Sequence, residues 1–322
     1  MTADRPTSPD PWIEWMQRGE FGRAWEVSDA ALAARRGVPC WHWPRHFQYV
    51  WDGAPLAGKR VLVRCYHGLG DTIQFARFLA PLRAIAREVT VWAQPALIPL
   101  LERVAGVDRL TPLHDGVPEV EFDADVEIME LGHVFRVTLE MLPGPAPYLF
   151  AEPAEWVRAR MKPGELAVGV VWRAGDWDAR RSIAPELLAP WTSVRGVRWF
   201  ALQQHPEPES PFRSEGRVTP VEKLAEAIRA MDLVITVDSL AAHLAGALGV
   251  RTWTLLPQEA DWRWMRERDN SPWYPTMRLW RQGAAGDWRP VIARVAAELA
   301  NEAVDASGTV HAGRVQSVSP AR

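Results

Sequence analysis

The sequence predicts an α/β protein made of two doubly wound parallel-sheet domains behind a short helical segment. Three observations carry that prediction. Short strand-like apolar runs alternate with helical patterns from Arg60 onward, and the alternation restarts at Leu166 after the proline-bearing stretch from Pro143 to Pro163. The length of 322 residues suits two domains of about 150 residues each.

The elements come in this order. Between Trp12 and Arg36, Trp12, Trp15 and Met16 precede a Gly19-Glu20 turn, and Ala24, Trp25, Ala31 and Leu32 keep helical spacing after it. The pattern resembles one degenerate tetratricopeptide helix–turn–helix. One such repeat cannot bury its own apolar face, so it is expected to pack on the next domain of the chain or to pair in a homodimer. Gly37 to Gly58, rich in Trp, His and Pro, reads as a surface linker. Strands are predicted at 61–66, 89–93, 108–113 and 125–129, with helices at 71–87 and 97–104. The second series has strands at 166–172, 197–202, 233–237 and 252–256, with helices at 221–231 and 239–248. The expected divisions are 1–58 for the helical segment and linker, 59–160 and 161–300 for the two sheet domains, and 301–322 for a disordered tail.

Composition removes several function classes. Apolar residues make up 48% and charged residues 24%, an ordinary globular balance. The net charge of −3 gives no basic field for nucleic acid and no acidic field for cations. The uncharged run from Val89 to Leu101 is broken by Pro95 and Pro99 and falls short of the about 20 residues a membrane span needs. The first ten residues lack a signal-peptide core, so a cytoplasmic location is expected, with peripheral membrane association left open. Cys40 and Cys65 are too few for a disulfide framework or a four-ligand zinc site. Asp123-Ala124-Asp125 precedes its strand rather than ending it, and no histidine stands at ligand spacing, so no metal is expected. Tryptophan is abundant at 18 residues.

Ligands in open α/β sheets bind outside the carboxyl ends of the strands, which directs attention to four loops. The first is His67-Gly68-Leu69-Gly70-Asp71, between a strand and a helix. Its glycines permit a tight turn and close backbone approach, and Asp71 reads either as a helix cap alone or as a catalytic carboxylate that also caps. The second is Asp238-Ser239-Leu240-Ala241-Ala242-His243, where an N-cap serine and first-turn amides suit a phosphate. His243 reads as a packed core residue or as a ligand contact. The third starts at Arg173 and carries the adjacent Arg180 and Arg181, a pair that reads either as a bidentate phosphate clamp or as a solvated surface feature. The fourth, Pro257 to Gln282, carries Asp261, Trp262, Arg263, Trp264, Trp273 and Trp280. It reads as an aromatic cleft wall that closes on a ligand, or as a crossover segment that packs its tryptophans.

Gly68-Leu69-Gly70-Asp71 after a first strand, with Asp238-Ser239-Leu240-Ala241-Ala242-His243-Leu244-Ala245 late in a second domain, resembles glycosyltransferase family 9. These are the ADP-heptose:lipopolysaccharide heptosyltransferases and related bacterial enzymes with tetratricopeptide repeats. Gly169-Val170-Val171-Trp172, Arg181-Ser182-Ile183 and Asp261-Trp262-Arg263-Trp264 are similar to the repeat-bearing branch, and the likeness covers Arg60 to about Ala300.

The resemblance implies a GT-B fold, two Rossmann-like domains facing across a cleft, with acceptor on the first and nucleotide-sugar donor on the second. It implies Asp71 as base, with Gly68, Gly70 and His67 on the acceptor side. Arg173, Arg180, Arg181, Gln203, Asp238, Ser239, His243, Asp261 and Trp262 would serve the donor. The implied reaction moves a sugar from a nucleotide diphosphate sugar, ADP-heptose-like or a UDP-sugar, to a glycan or protein acceptor, with no metal and no cofactor. One departure stands out: relatives often have Gln-Lys where this chain has Gln203-Gln204, which removes a charge. A non-catalytic nucleotide-sugar-binding or scaffold protein is the competing reading, with a nucleotide-sugar epimerase as a third.

Overall fold

The computed structural model describes residues 10–142, 146–204, 209–213 and 217–312, with side chains as far as 304. The chain forms two compact units. One comprises Met1–Phe150 and Ala260–Pro275; the other comprises Ala151–Glu259 and Thr276–Arg322.

In the first unit, α1 (Pro11–Arg18) starts at Asp10, whose carboxylate accepts from the Trp12 amide, and stops at Gly19, whose φ of 77° suits glycine. The second helix, α2 (Phe21–Arg35), buries Phe21, Ala24 and Trp25. The Trp25 indole donates to the Val137 carbonyl at 2.8 Å, and Trp12 meets Trp262 edge-on at 5.0 Å. The helix pair thus packs on the rest of its own unit, as a lone repeat must.

A four-stranded sheet comes next: β1 (Arg60–Arg64), α3 (Leu69–Phe75), α4 (Leu79–Ile85), β2 (Glu88–Ala93), α5 (Ile98–Leu101), β3 (Arg109–Pro112), β4 (Ala124–Glu127) and α6 (Leu131–Val134). All pairings are parallel, in the order β3-β2-β1-β4. The order reverses between β1 and β4, so their carboxyl ends flank a ligand-binding switch point. The helix expected at 71–87 is interrupted by a tight turn at 76–78. Pro81 has no amide to donate back to residue 77, which accounts for the break.

In the second unit the elements are α7 (Glu155–Arg158), β5 (Leu166–Val171), β6 (Val197–Ala201), α8 (Val221–Arg229), β7 (Leu233–Val237), α9 (Leu240–Ala247), β8 (Thr252–Leu256), β9 (Met277–Arg281) and α10 (Arg289–Ala312). The parallel sheet runs β6-β5-β7-β8-β9, with its switch point between β5 and β7. Its core joins Val168, Val170 and Val237 to Trp172, Trp191, Trp253, Trp280 and Trp288.

Two sequence expectations need correction here. Met277–Arg281 is an edge strand, although the sequence pattern places it in a loop; Met277, Leu279 and Trp280 are buried and Arg278 pairs with Glu298 at 2.6 Å. Residues 301–312 continue α10 rather than starting a disordered tail, with Leu299 and Ala303 buried along it. Residues 1–9 and 313–322 lie outside the described residues.

Candidate functional site

Each unit has its own arrangement at the carboxyl ends of its strands. In the first, the loop from β1 into α3 is shaped around Asp71. The Gly68 amide donates to Asp71 Oδ2 at 2.9 Å. A Cβ on Gly68 would stand 3.1 Å from that oxygen, so glycine leaves room for the carboxylate. Asp71 Oδ1 is ion-paired with the Arg263 guanidinium, and the carboxylate side chain keeps 24% of its surface exposed. Arg263, nearly buried, also donates from Nη1 to Asp261 Oδ1 at 2.8 Å and from Nε to Gln74 Oε1 at 2.7 Å. Behind the loop, Gln94 donates to the His67 carbonyl at 2.8 Å and accepts from Thr72 Oγ1 at 3.0 Å.

His67 Nδ1 lies 3.0 Å from Glu127 Oε1, and Glu127, the last residue of β4, also accepts from the Tyr66 and Met129 amides. Burial pulls the His67 pKa down, but the Glu127 carboxylate, with Asp71 nearby, outweighs burial and Arg263 and leaves it raised. Both His67 and Glu127 line a cavity of about 460 Å³ that also meets Trp12, Trp25, Glu130 and Trp273. Burial, with the neighbouring Glu127 charge, pushes the Glu130 carboxyl up to about 7 against the Glu127 and Trp51 amides that hydrogen-bond to it.

The second unit has a pocket of about 500 Å³ where β5 and β6 end and α9 begins. Arg173, Gly175, Asp176, Gln203, Gln204, Ser239, Leu240 and Ala241 are among its walls. Gln203 Oε1 accepts from the Arg173 amide at 3.1 Å and so fixes the loop that carries the guanidinium. Ser239 occupies the N-cap position of α9, but its hydroxyl faces Thr236 Oγ1 at 3.2 Å and makes no cap hydrogen bond. Among the described residues, no group of three or more His, Cys, Asp or Glu side chains is placed to hold a metal ion. No helix among them is long and apolar enough to cross a membrane.

Comparison with solved structures settles the architecture. A glycosyl transferase family 9 structure from Veillonella parvula superposes with a TM-score of 0.55 at 14% identity, covering 77% of this chain and 99% of the other. The ADP-heptose LPS heptosyltransferase II of E. coli gives a TM-score of 0.50 at 15% identity, covering 76% and 99%. The fold is GT-B-like. In sequence, Protein FlbA of Caulobacter vibrioides is 26% identical over 319 residues, covering 87% of this chain and 52% of FlbA. The chain therefore spans about half the length of that relative. No protein-family profile matches it.

Within this GT-B-like fold the sequence-selected residues separate into groups. His67 and Gly68 end the loop after β1, and Gly70 and Asp71 sit in the first turn of α3. Arg173, Gln203 and Ser239 line the second unit's pocket. The two arginines expected to clamp phosphate are not among that pocket's walls. Arg180 is exposed and paired with Asp178 and Glu259, at 2.9 and 3.4 Å. Arg181 is buried, donating from Nη1 to the Asp238 carbonyl at 3.1 Å, under the exposed Trp177 ring. Asp238 and His243 are buried in their loop and helix. Asp261 and Trp262 belong to the first unit, in company with Asp71.

Trp262, Trp264, Trp273 and Trp280 are all buried, the first three in the first unit and the last in the second. Trp262 and Trp273 also line the first unit's cavity. Sequence reasoning missed Arg263 as the partner of Asp71, because 192 positions separate them and no local pattern links them. It also missed Glu127, because the strand expected at 125–129 ends two residues earlier, at Glu127 itself.

Proposed function

We propose that the chain is a glycosyltransferase that moves a sugar from a nucleotide diphosphate sugar to a hydroxyl of a glycan or protein acceptor. The observation that carries this reading is the second unit's pocket. A guanidinium, two glutamine amides and the first residues of a helix converge at the switch point of a parallel sheet in a GT-B-like fold. Such a site suits a diphosphate, and the same groups stabilise the charge that develops on it as it leaves. In this reading the first unit receives the acceptor, and Asp71 takes the proton from its hydroxyl as the glycosidic bond forms. Arg173 does the work that the sequence pattern assigns to Arg180 and Arg181, and no metal is required. ADP-heptose is the first donor to test, because the E. coli relative's name specifies it.

Gln204 and the ion pairs of Arg180 favour one competing reading, a nucleotide-sugar-binding protein without turnover. Incubating the purified chain with a panel of nucleotide sugars together with glycan and peptide acceptors, followed by mass spectrometry, decides between them. Release of free nucleoside diphosphate is the expected result. Binding without release, or an altered sugar still joined to its nucleotide, would overturn the transferase reading.

A further inference from the structure

Arg263 makes more contacts in the first unit than anchoring its own segment requires. Its side chain is 9% exposed and reaches three partners from three positions in the chain: Asp71, Asp261 and Gln74. Its ring neighbour is Trp262, whose face lies 4.5 Å from the guanidinium carbon, and its carbonyl accepts from Trp273 Nε1 at 3.0 Å. Asp261 alone, at 2.8 Å, would neutralise the guanidinium locally. Buried ion pairs add little net stability, because desolvation offsets much of the attraction, whereas a planar fork bonded to two carboxylates and an amide fixes orientation.

The orientation concerned is that of Asp71. The Gly68 amide holds Oδ2 and Arg263 holds Oδ1, so the carboxylate cannot rotate about its terminal bond without losing one of them. Each oxygen keeps a second lone pair, and part of the side chain stays exposed. Gln74 sets the other edge of the fork: its Oε1 accepts from Arg263 Nε, within a helix whose packing buries Gln74 completely.

We propose that Arg263 is a positioning residue, aiming the Asp71 carboxylate at the acceptor hydroxyl, with Gln74 and Asp261 holding the guanidinium in place. The inference rests on the transferase reading given above. Arg263 does not itself exchange a proton: the hydroxyl proton passes to Asp71 as the acceptor oxygen bonds to the anomeric carbon, and the bonding pair of the anomeric carbon–oxygen bond departs with the diphosphate. A misaimed base of this kind costs up to about 100-fold in rate.

The experiment is a double-mutant cycle on turnover with Asp71→Asn and Arg263→Gln in the full chain. Arg263→Gln alone should lower kcat by about 10- to 100-fold and leave the donor KM within about threefold. Arg263→Lys restores charge without the fork and should recover only part of the loss. Combined with Asp71→Asn, Arg263→Gln should cost almost nothing further, because the group it aims is gone. Additive losses, or a loss that tracks melting temperature and not kcat, would overturn the proposal in favour of anchoring alone. A second measurement does not depend on activity. The Asp71 carboxyl carbon resonance, assigned by its disappearance in Asp71→Asn, should move in Arg263→Gln and stay in place in Arg278→Gln. An unmoved resonance would overturn the proposal even if the parent transfers sugar. A parent that transfers nothing while the resonance moves would instead remove the transferase reading and leave the pairing intact.

Discussion

Arg173 and Arg181 show how eight positions divide the roles of two similar side chains. Arg173 stands at the pocket wall with 54% of its side chain exposed, ion-paired at 3.5 Å with the exposed Asp176 and within reach of an anion bound there. Arg181 is spent inside the fold, binding the carbonyls of Asp238 and Gly175 and carrying Trp177 on its face. Arg173→Ala should therefore weaken nucleoside diphosphate binding by about 1–3 kcal/mol by calorimetry while leaving stability alone. Arg181→Ala should destabilise the chain by a similar amount, since the buried Asp238 carbonyl loses its donor. The assignment is wrong if the affinity loss follows Arg181 and Arg173→Ala binds as the parent does. At this scale the sequence was informative about loops and silent about direction. Arg173, Gln203, Ser239 and Asp71 could be chosen because strand ends are readable. Whether an arginine in such a loop points to solvent or into its own backbone depends on which carbonyls lie beneath it, and no local pattern encodes that.

Elements were legible where hydrophobic period and punctuation agreed. Apart from β9, the strands of both sheets fall within a residue or two of their expected bounds, because most are short apolar runs closed by a turn. β9 escaped notice because Arg278 and Trp280 look like ligand-binding residues, while the segment is an edge strand that buries Met277, Leu279 and Trp280 and leaves Arg278 exposed. The turn between α5 and β3 gives an element-level test. Gly106 has a φ of 93°, and a Cβ there would stand 2.3 Å from the Leu79 carbonyl oxygen at the start of α4. Backbone cannot yield as a side-chain tip can. Gly106→Ala should cost about 3 kcal/mol or more, combining left-handed strain with overpacking. Urea midpoints of parent and variant measure it, and a difference below about 1 kcal/mol would show that α4 can move aside.

For the molecule as a whole, acidity is the most direct probe of folding. Glu130 binds its proton up to about pH 7 in the folded chain, well above the usual glutamate range near 4.3, and two backbone amides lean on one of its oxygens. A group whose folded pKa is raised contributes its full stability below the unfolded value and loses it as pH rises through the folded one. Stability from this residue should thus fall between about pH 4.5 and pH 7. Glu130→Gln keeps an oxygen for both amides and does not ionise, so its urea midpoint should vary less between pH 5 and pH 8 than the parent's. Equal slopes in the two proteins would mean that the carboxyl reaches water more freely than its surroundings indicate.

The return of residues 260–275 to the first unit also limits how this architecture can be recombined. A piece ending at Phe150 would lack Trp273, which stacks on Phe21 and packs against Phe75, as well as the guanidinium beside Asp71. A piece starting at Ala151 would carry the same sixteen residues, Trp262, Trp264, Trp273 and Tyr274 among them, with nothing to cover them. No single crossover between two related genes exchanges one unit intact. Chimaeras need junctions near 150, 260 and 275 together, so new pairings of the two units are expected to arise by point substitution inside each unit far more readily than by swapping halves.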